Sequence, residues 1–352
     1  MQIVVAASAL LPRYGSIINY LKDDGFNNIF LVYNLLEGEN LTSMAKTTGL
    51  GVLEISTVFD NIKPDIVVTI ADRFETMATA ICATYMNIPL AHIQGGEITG
   101  NIDEKVRHSI TKLADYHFVS SEEAYERVIK LGENPKFIFN TGCPSIDLAN
   151  KVKDYSELDF NPYQKYMGVG AKPDYSSGYW VVMQHPVTTE LNKSRKNIEE
   201  TLYAMYDINQ TVFWFWPNID GGSDGTSNGI RAFREKFDLV NFHFFKNMEP
   251  IDFLKLLQNS NGIVGNSSVG IRECSFLGVP CINIGDRQKR RGRAENVIDV
   301  NYKQKEIKTA INAVKRNAKP KGSKIYGSGN SGNIIAKKLS QLPLIIEKQI
   351  HY

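Results

Sequence analysis

The chain has few cysteines and no pattern among them. Cys82, Cys143, Cys274 and Cys281 form no C-x-x-C pair, and each sits among apolar or small residues. This predicts buried, reduced thiols in a cytoplasmic protein and argues against zinc. Long hydrophobic runs are missing too, since none approaches the roughly 18 residues that would span a bilayer. The N-terminus enters a strand-like run, Gln2 to Ala7, without the basic stretch of a secretory signal. An excess of one charge is also absent. With 40 Lys and Arg against 38 Asp and Glu, the net charge of +2 makes no case for nucleic acid. No Ser/His/Asp triad and no metal-binding His pair can be read, and no repeat or low-complexity tract interrupts the chain.

What remains is an ordinary globular composition, 43% hydrophobic and 22% charged over 352 residues, enough for two cores. Short apolar runs alternate with helical patterns, as in parallel sheets buried on both faces. In the first half the expected strands are Ile3–Ala7, Asn28–Val32, Asp65–Ile70, Leu90–Ile93, His117–Val119 and Lys136–Phe139. Helices are expected over Phe74–Met86, Asp103–Leu113 and Ser121–Leu131. Tyr155 to Gly178, rich in Tyr, Pro, Gly, Asp and Ser, reads as a linker. The alternation then restarts with strands Tyr179–Gln184, Thr211–Trp216, Asn241–Phe244, Asn261–Val264 and Cys281–Ile284. Helices are expected over Glu190–Asp207, Ser227–Phe237, Pro250–Gln258, Ser267–Leu277 and Lys305–Val314. The expected fold is α/β, two doubly wound Rossmann-like domains facing a cleft. Their expected limits are 1–160 and 179–330, with a linker over 161–178 and a last helical segment, 331–352, packing across the domains.

The run Gly265-Asn266-Ser267-Ser268-Val269-Gly270-Ile271-Arg272-Glu273 turns from strand into helix through small residues. Such a turn aims unpaired N–H groups at one spot and favours phosphate. Ser267 and Ser268 add hydroxyls, and Glu273 could accept hydrogen bonds from a ribose. The plainer alternative is a serine N-cap. Arg287, Lys289, Arg290, Arg291 and Arg293 follow the strand Cys281–Ile284, where at least one arginine suits a diphosphate. His185 and Asn218 end neighbouring strands. His185 could donate to a phosphate or serve as an acid.

In the first half, Asp72-Arg73, Gln94-Gly95-Gly96-Glu97 and Asp103-Glu104 follow strand ends, with Arg107-His108 one turn after Asp103. Crowded carboxyls raise one another's pKa and supply the protonated and ionised partners that proton abstraction requires. The alternative for Asp72 and Asp103 is helix capping. Gly95-Gly96 marks a backbone that something approaches closely.

These residues lie in longer motifs: ADRFETMATAICATYMNIPLAHIQGGEITGNIDEKVRHSITKLADYHFVSS, NTGCPSID, QHPVTTE, PNIDGGSDG and GNSSVGIRECSFLGVPCINIGDRQKRRGRAENVI. Together they resemble the hydrolysing UDP-N-acetylglucosamine 2-epimerases of sialic and related nonulosonic acid synthesis, over nearly the whole chain. The resemblance implies a glycosyltransferase-B fold and a UDP-linked sugar substrate. It implies no metal or redox cofactor, and a homo-oligomer. It also implies anti elimination of UDP followed by hydration of a glycal. Asp72 and Asp103 match catalytic carboxylates, and Arg73 matches a substrate-binding arginine. His185, Asn218, Ser267, Ser268, Glu273 and Arg287 match nucleotide-sugar contacts. Two departures stand out. A third family carboxylate falls on Gln94, so either Glu97 takes its role, the reading preferred here, or the second step leans on Asp103 and Asp72. Leu11 occupies the place of a substrate-binding arginine, with Arg13 the substitute two residues on. The second departure leaves the sugar open between N-acetylglucosamine and a 2,4-diacetamido-trideoxy sugar. A non-hydrolysing epimerase, a glycosyltransferase of the same fold and an idle nucleotide-sugar-binding protein are the competing readings.

Overall fold

β-Branched and aromatic runs of two to five residues form thirteen short strands among the described residues, and a computed structural model places them in three sheets. It describes residues 1–11, 17–36, 41–99, 102–187, 191–217 and 223–352. The chain divides into two compact units. The first comprises Met1–Glu97, Ile102–Thr141 and Asn333–Tyr352; the second comprises Ile98–Asn101 and Gly142–Gly332.

In the first unit, β1 (Ile3–Ala6) pairs in parallel with β2 (Ile29–Val32). A parallel sheet of four follows in the order β3 (Val67–Ile70), β4 (Leu90–Ile93), β5 (Tyr116–Val119) and β6 (Ile138–Asn140). The strand edges of β1 and β3 do not pair and line a cavity of about 1120 Å³. One core nevertheless runs beneath both sheets. The helix Leu41–Ile62 supplies Ile55 and Phe59 against Val32 of β2 and Val67 of β3.

In the second unit, β7 (Val169–Gly170) lies antiparallel on β10. The parallel strands are β8 (Tyr179–Met183), β9 (Thr211–Phe215), β10 (Phe242–Phe245), β11 (Gly262–Gly265), β12 (Cys281–Ile284) and β13 (Val297–Val300). Their spatial order is β13-β12-β11-β8-β9-β10. This is the doubly wound arrangement, with its switch point between β8 and β11. Both units are therefore Rossmann-like. Strands β8 to β12 are almost wholly buried, which is why they read as unbroken apolar runs.

The boundaries differ from the sequence expectation. The chain enters the second unit at Gly142, not within 161–178. Ile146 and Val152 of the helix Pro144–Val152 join the same core as Leu254, Leu257, Ile271 and Cys274. The tyrosines of the expected linker are structural. Tyr163 is buried against Phe213 and His243, and Tyr166 donates to Asp252 Oδ2 at 2.6 Å. Aromatic rings there fill a core; they do not tether two domains. From Asn333 the chain belongs to the first unit, where Ile335 packs with Ala91, Tyr116 and Phe118.

Candidate active site

Two clusters carry polar groups at the carboxyl ends of strands, one in each unit. The first begins after β3. Ala71 adopts φ +62°, an unfavourable region for an alanine. Its N–H donates to Ile93 O at 2.9 Å, and its carbonyl meets His92 Nε2 at 2.9 Å. His92 Nδ1 lies 3.2 Å from Thr111 Oγ1. Because a carbonyl only accepts, Nε2 must carry the ring proton. Burial pushes the His92 pKa down to about 3, so the ring is neutral.

This bracing positions Asp72, the next residue. It does not cap the helix Phe74–Tyr85, whose N-cap position is Arg73 with no side-chain cap. Asp72 Oδ2 instead pairs with Arg107 Nη2. Arg107 Nη1 donates to the backbone carbonyl of Glu97 at 2.6 Å. The arginine is only 1% exposed, and Glu97 is 4% exposed. One guanidinium thus joins the loop after β3 to the loop after β4. Asp103 lies in the first turn of the helix Ile102–Leu113, one turn before Arg107 on the same face.

Gln94 is buried at φ +66°, and its N–H donates to Phe118 O at 2.8 Å. The two glycines after it are closely packed. A Cβ on Gly96, at φ +78°, would lie 2.4 Å from Ala124 O, and one on Gly95 would lie 2.9 Å from Thr111 Oγ1. The close approach expected at this backbone is present, and what approaches it is the protein's own interior. Arg73 is half exposed and forks onto Glu75 at 3.1 and 3.2 Å. Arg13 lies outside the described residues.

The second cluster sits at the switch point of the second sheet. Asn266, fully buried after β11, spans to the residue after β8 by two bonds. Its Oδ1 accepts from His185 N at 2.7 Å and its Nδ2 donates to His185 O at 2.8 Å. Gly265 makes this approach possible, because at φ +144° its Cβ would fall 2.0 Å from Met183 O. The Asn266 carbonyl accepts from Gln288 Nε2 at 3.0 Å and Arg287 Nη1 at 3.2 Å. Arg287 is thereby held beside the serine loop. Lys289 and Arg290 remain exposed, while Arg293 pairs with Asp299 at 3.0 Å.

Ser267 accepts from Val269 N at 3.4 Å as N-cap of the helix Ser268–Ile271. The single helix expected over Ser267–Leu277 is two short ones. It breaks at Arg272 (φ −98°, ψ −73°), whose Nη2 donates to Ser268 Oγ at 3.0 Å, and resumes as Glu273–Leu277. Glu273 is buried and lines a cavity of about 280 Å³ with Met183, Phe215, Met248, Phe253 and Val269. His185 is buried, and burial together with Arg287 pushes its pKa down to about 3. The ring is therefore neutral here and can donate a hydrogen bond. Asn218 lies outside the described residues.

Among the described residues, no helix is long and apolar enough to cross a membrane. Nor does any cluster of His, Cys, Asp or Glu there have the makings of a metal site. Sequence reasoning passed over Asn266 and Gln288, and it noted Arg107 without a role. Their importance is in tertiary contacts that no spacing reveals.

Residues 1–340 match the UDP-N-acetylglucosamine 2-epimerase family. The chain belongs to that family. Among its relatives is the UDP-N,N'-diacetylbacillosamine 2-epimerase (hydrolyzing) of Legionella pneumophila, 33% identical over 98% of this chain and 89% of the other. The polysialic acid biosynthesis protein P7 of Escherichia coli is 35% identical over 85% of this chain and 74% of its own length. In fold, this family member is similar to the UDP-GlcNAc 2-epimerase of Methanocaldococcus jannaschii, solved in complex with UDP-GlcNAc and UDP. That match has a TM-score of 0.74 at 18% identity, covering 97% of this chain and 99% of the other. The family match and this likeness in fold span both Rossmann-like units.

Proposed function

We propose that this epimerase is of the hydrolysing type. It would convert a UDP-linked 2-acetamido sugar to the free 2-epimeric sugar and UDP. The observation that carries the reading is the likeness to the hydrolysing Legionella epimerase along almost the entire chain.

In the proposed reaction a base removes the proton from C2 while the C1–O bond to UDP breaks, leaving a C1–C2 double bond. Water then adds across that bond, oxygen to C1 and hydrogen to the opposite face of C2. The chemistry asks for acid/base groups near C1 and C2 and for stabilisation of charge on the departing diphosphate. We assign proton transfer to Asp72, Asp103 and Glu97, with Glu97 supplying the carboxyl that Gln94 cannot. Gln94 and Arg73 are assigned to the sugar side, as is Arg13. Ser267, Ser268 and Arg287 are assigned to the diphosphate, with neutral His185 and Asn218 as further donors.

Glu273 is assigned to the ribose hydroxyls. Its cavity supports this: a carboxylate at the edge of a pocket walled by Met183, Phe215, Met248 and Phe253 suits a nucleoside. The sugar named for the Legionella relative, together with Leu11 in place of an arginine, favours a 2,4-diacetamido-trideoxy donor over UDP-N-acetylglucosamine. Incubation with each donor and chromatography of nucleotide and sugar products tests this. Release of UDP together with a free sugar supports the hydrolysing type. A UDP-linked epimer as end product refutes it.

A further inference from the structure

The loop after β3, the loop after β4 and the helix Ile102–Leu113 meet at the Arg107 side chain. The helix Ile102–Leu113 is seated by Val106 and Ile110, both in the core of the first unit. That seating aims Arg107 inward at 1% exposure. From there Nη2 reaches the carboxylate after β3 and Nη1 reaches the carbonyl after β4. Asp72 is consequently fixed from two directions: His92 anchors the preceding carbonyl, and Arg107 anchors the side chain. A planar fork with fixed donors suits this task, whereas a lysine ammonium offers a single point charge.

We propose that Arg107 is a positioning residue for the elimination. Its guanidinium holds the Asp72 carboxylate as an anion in fixed register with the backbone of Glu97. This rests on the proposed function for its kinetic consequence, though not for its structural content. The groups around the pair include His92 on β4, which is neutral, His108 on the same helix, whose pKa burial and Arg107 both lower, and the carboxyls of Asp103, one turn before Arg107, and buried Glu97. Arg127, donating to Gly96 O at 3.2 Å, adds positive charge nearby. Held by Arg107, Asp72 acts as base or as anchor, and the proton returned to C2 comes from another group.

The test uses the full-length protein with Arg107→Lys, Arg107→Met and Asp72→Asn, singly and combined. Arg107→Met is expected to lower kcat about 100-fold, the order that a small misplacement costs, with KM and UDP affinity little changed. In the Asp72→Asn background the same change should cost little more, because the arginine acts through that aspartate. Independent losses that multiply would overturn the proposal, as would a kcat near that of the parent. Should the Met variant fail to fold, Arg107→Lys carries the same comparison, because an ammonium keeps the charge but lacks the fork that places donors on two separate nitrogens.

A second readout needs no turnover. The ¹³C carboxyl resonance of Asp72, assigned by its loss in Asp72→Asn, reports directly on its pairing with Arg107. In either arginine variant its titration should move to higher pH than in the parent. A titration unmoved by either substitution would overturn the proposal even if the enzyme reading stands. A parent enzyme inert to every UDP-sugar, with the resonance shifted as expected, would refute the enzyme reading alone.

Discussion

At the residue scale, the account turns on which side chain replaces a missing carboxyl. Gln94 can hydrogen-bond but cannot exchange a proton as a base. Glu97, three residues on and buried, stands nearest in the sequence to take over. Replacing it with Gln keeps volume and removes the proton-transfer function. Turnover is expected to vanish in Glu97→Gln while UDP affinity, measured by calorimetry, stays near normal. Parent-like turnover would remove Glu97 from the mechanism. Ser268 sits at the other end of the chemistry. A diphosphate contact made equally in ground and transition states affects KM more than kcat. Ser268→Ala is expected to raise KM severalfold in steady-state assays; a large kcat loss at unchanged KM would instead mark a contact to the leaving group's developing charge.

At the scale of elements, much was readable and the failures have causes. Buried strands announce themselves as apolar runs, and the helix Pro250–Gln258 is readable to the residue because proline opens it and Asn259 caps its end. The helix Leu41–Ile62 was missed. Its Gly51 looks like a breaker, yet it is glycine because a Cβ there would meet Ala78 at 2.9 Å on the neighbouring helix. β13 was missed as a half-exposed strand, and the tyrosine-rich stretch before β8 passed for a linker because burial there depends on distant partners. Of the candidate site, the strand-end residues were legible from strand ends and motifs. The Asn266 bridge and the Arg107 fork were not, because both are made by tertiary contact. The C-terminal tail shows the same dependence. Lys348 Nζ donates to Ala114 O, closing the helix that carries Asp103, and pairs with buried Glu133 at 2.6 Å. Lys348→Met should lower unfolding free energy by about 1–3 kcal/mol, read by urea titration. No change in the midpoint would show that the tail is not part of the folded unit.

At the scale of the whole molecule, acid sensitivity is set by groups that burial keeps uncharged. His92 and His185 have pKa values pushed down to about 3, and burial lowers that of His117 as well. In the unfolded chain histidine titrates near 6.5. Between those values the unfolded chain takes up protons that the folded one refuses, so stability falls as pH drops below about 6.5. Glu133 adds to this at lower pH. Burial opposes its ionisation, but hydrogen bonds from His117, Lys112 and Lys348 outweigh that and hold it at about 2. Its contribution is intact above the ordinary glutamate value and is lost as pH falls toward 2. Urea midpoints at pH 7.5, 6.0 and 5.0 should therefore decline in that order, and a flat series would contradict the burial of these rings. The central claim concerns chemistry at C2, and proton NMR in D₂O with each UDP-linked donor tests it most directly. The account predicts free 2-epimeric sugar carrying deuterium at C2, appearing together with UDP. Product that keeps its C2 proton, or remains attached to UDP, would contradict it.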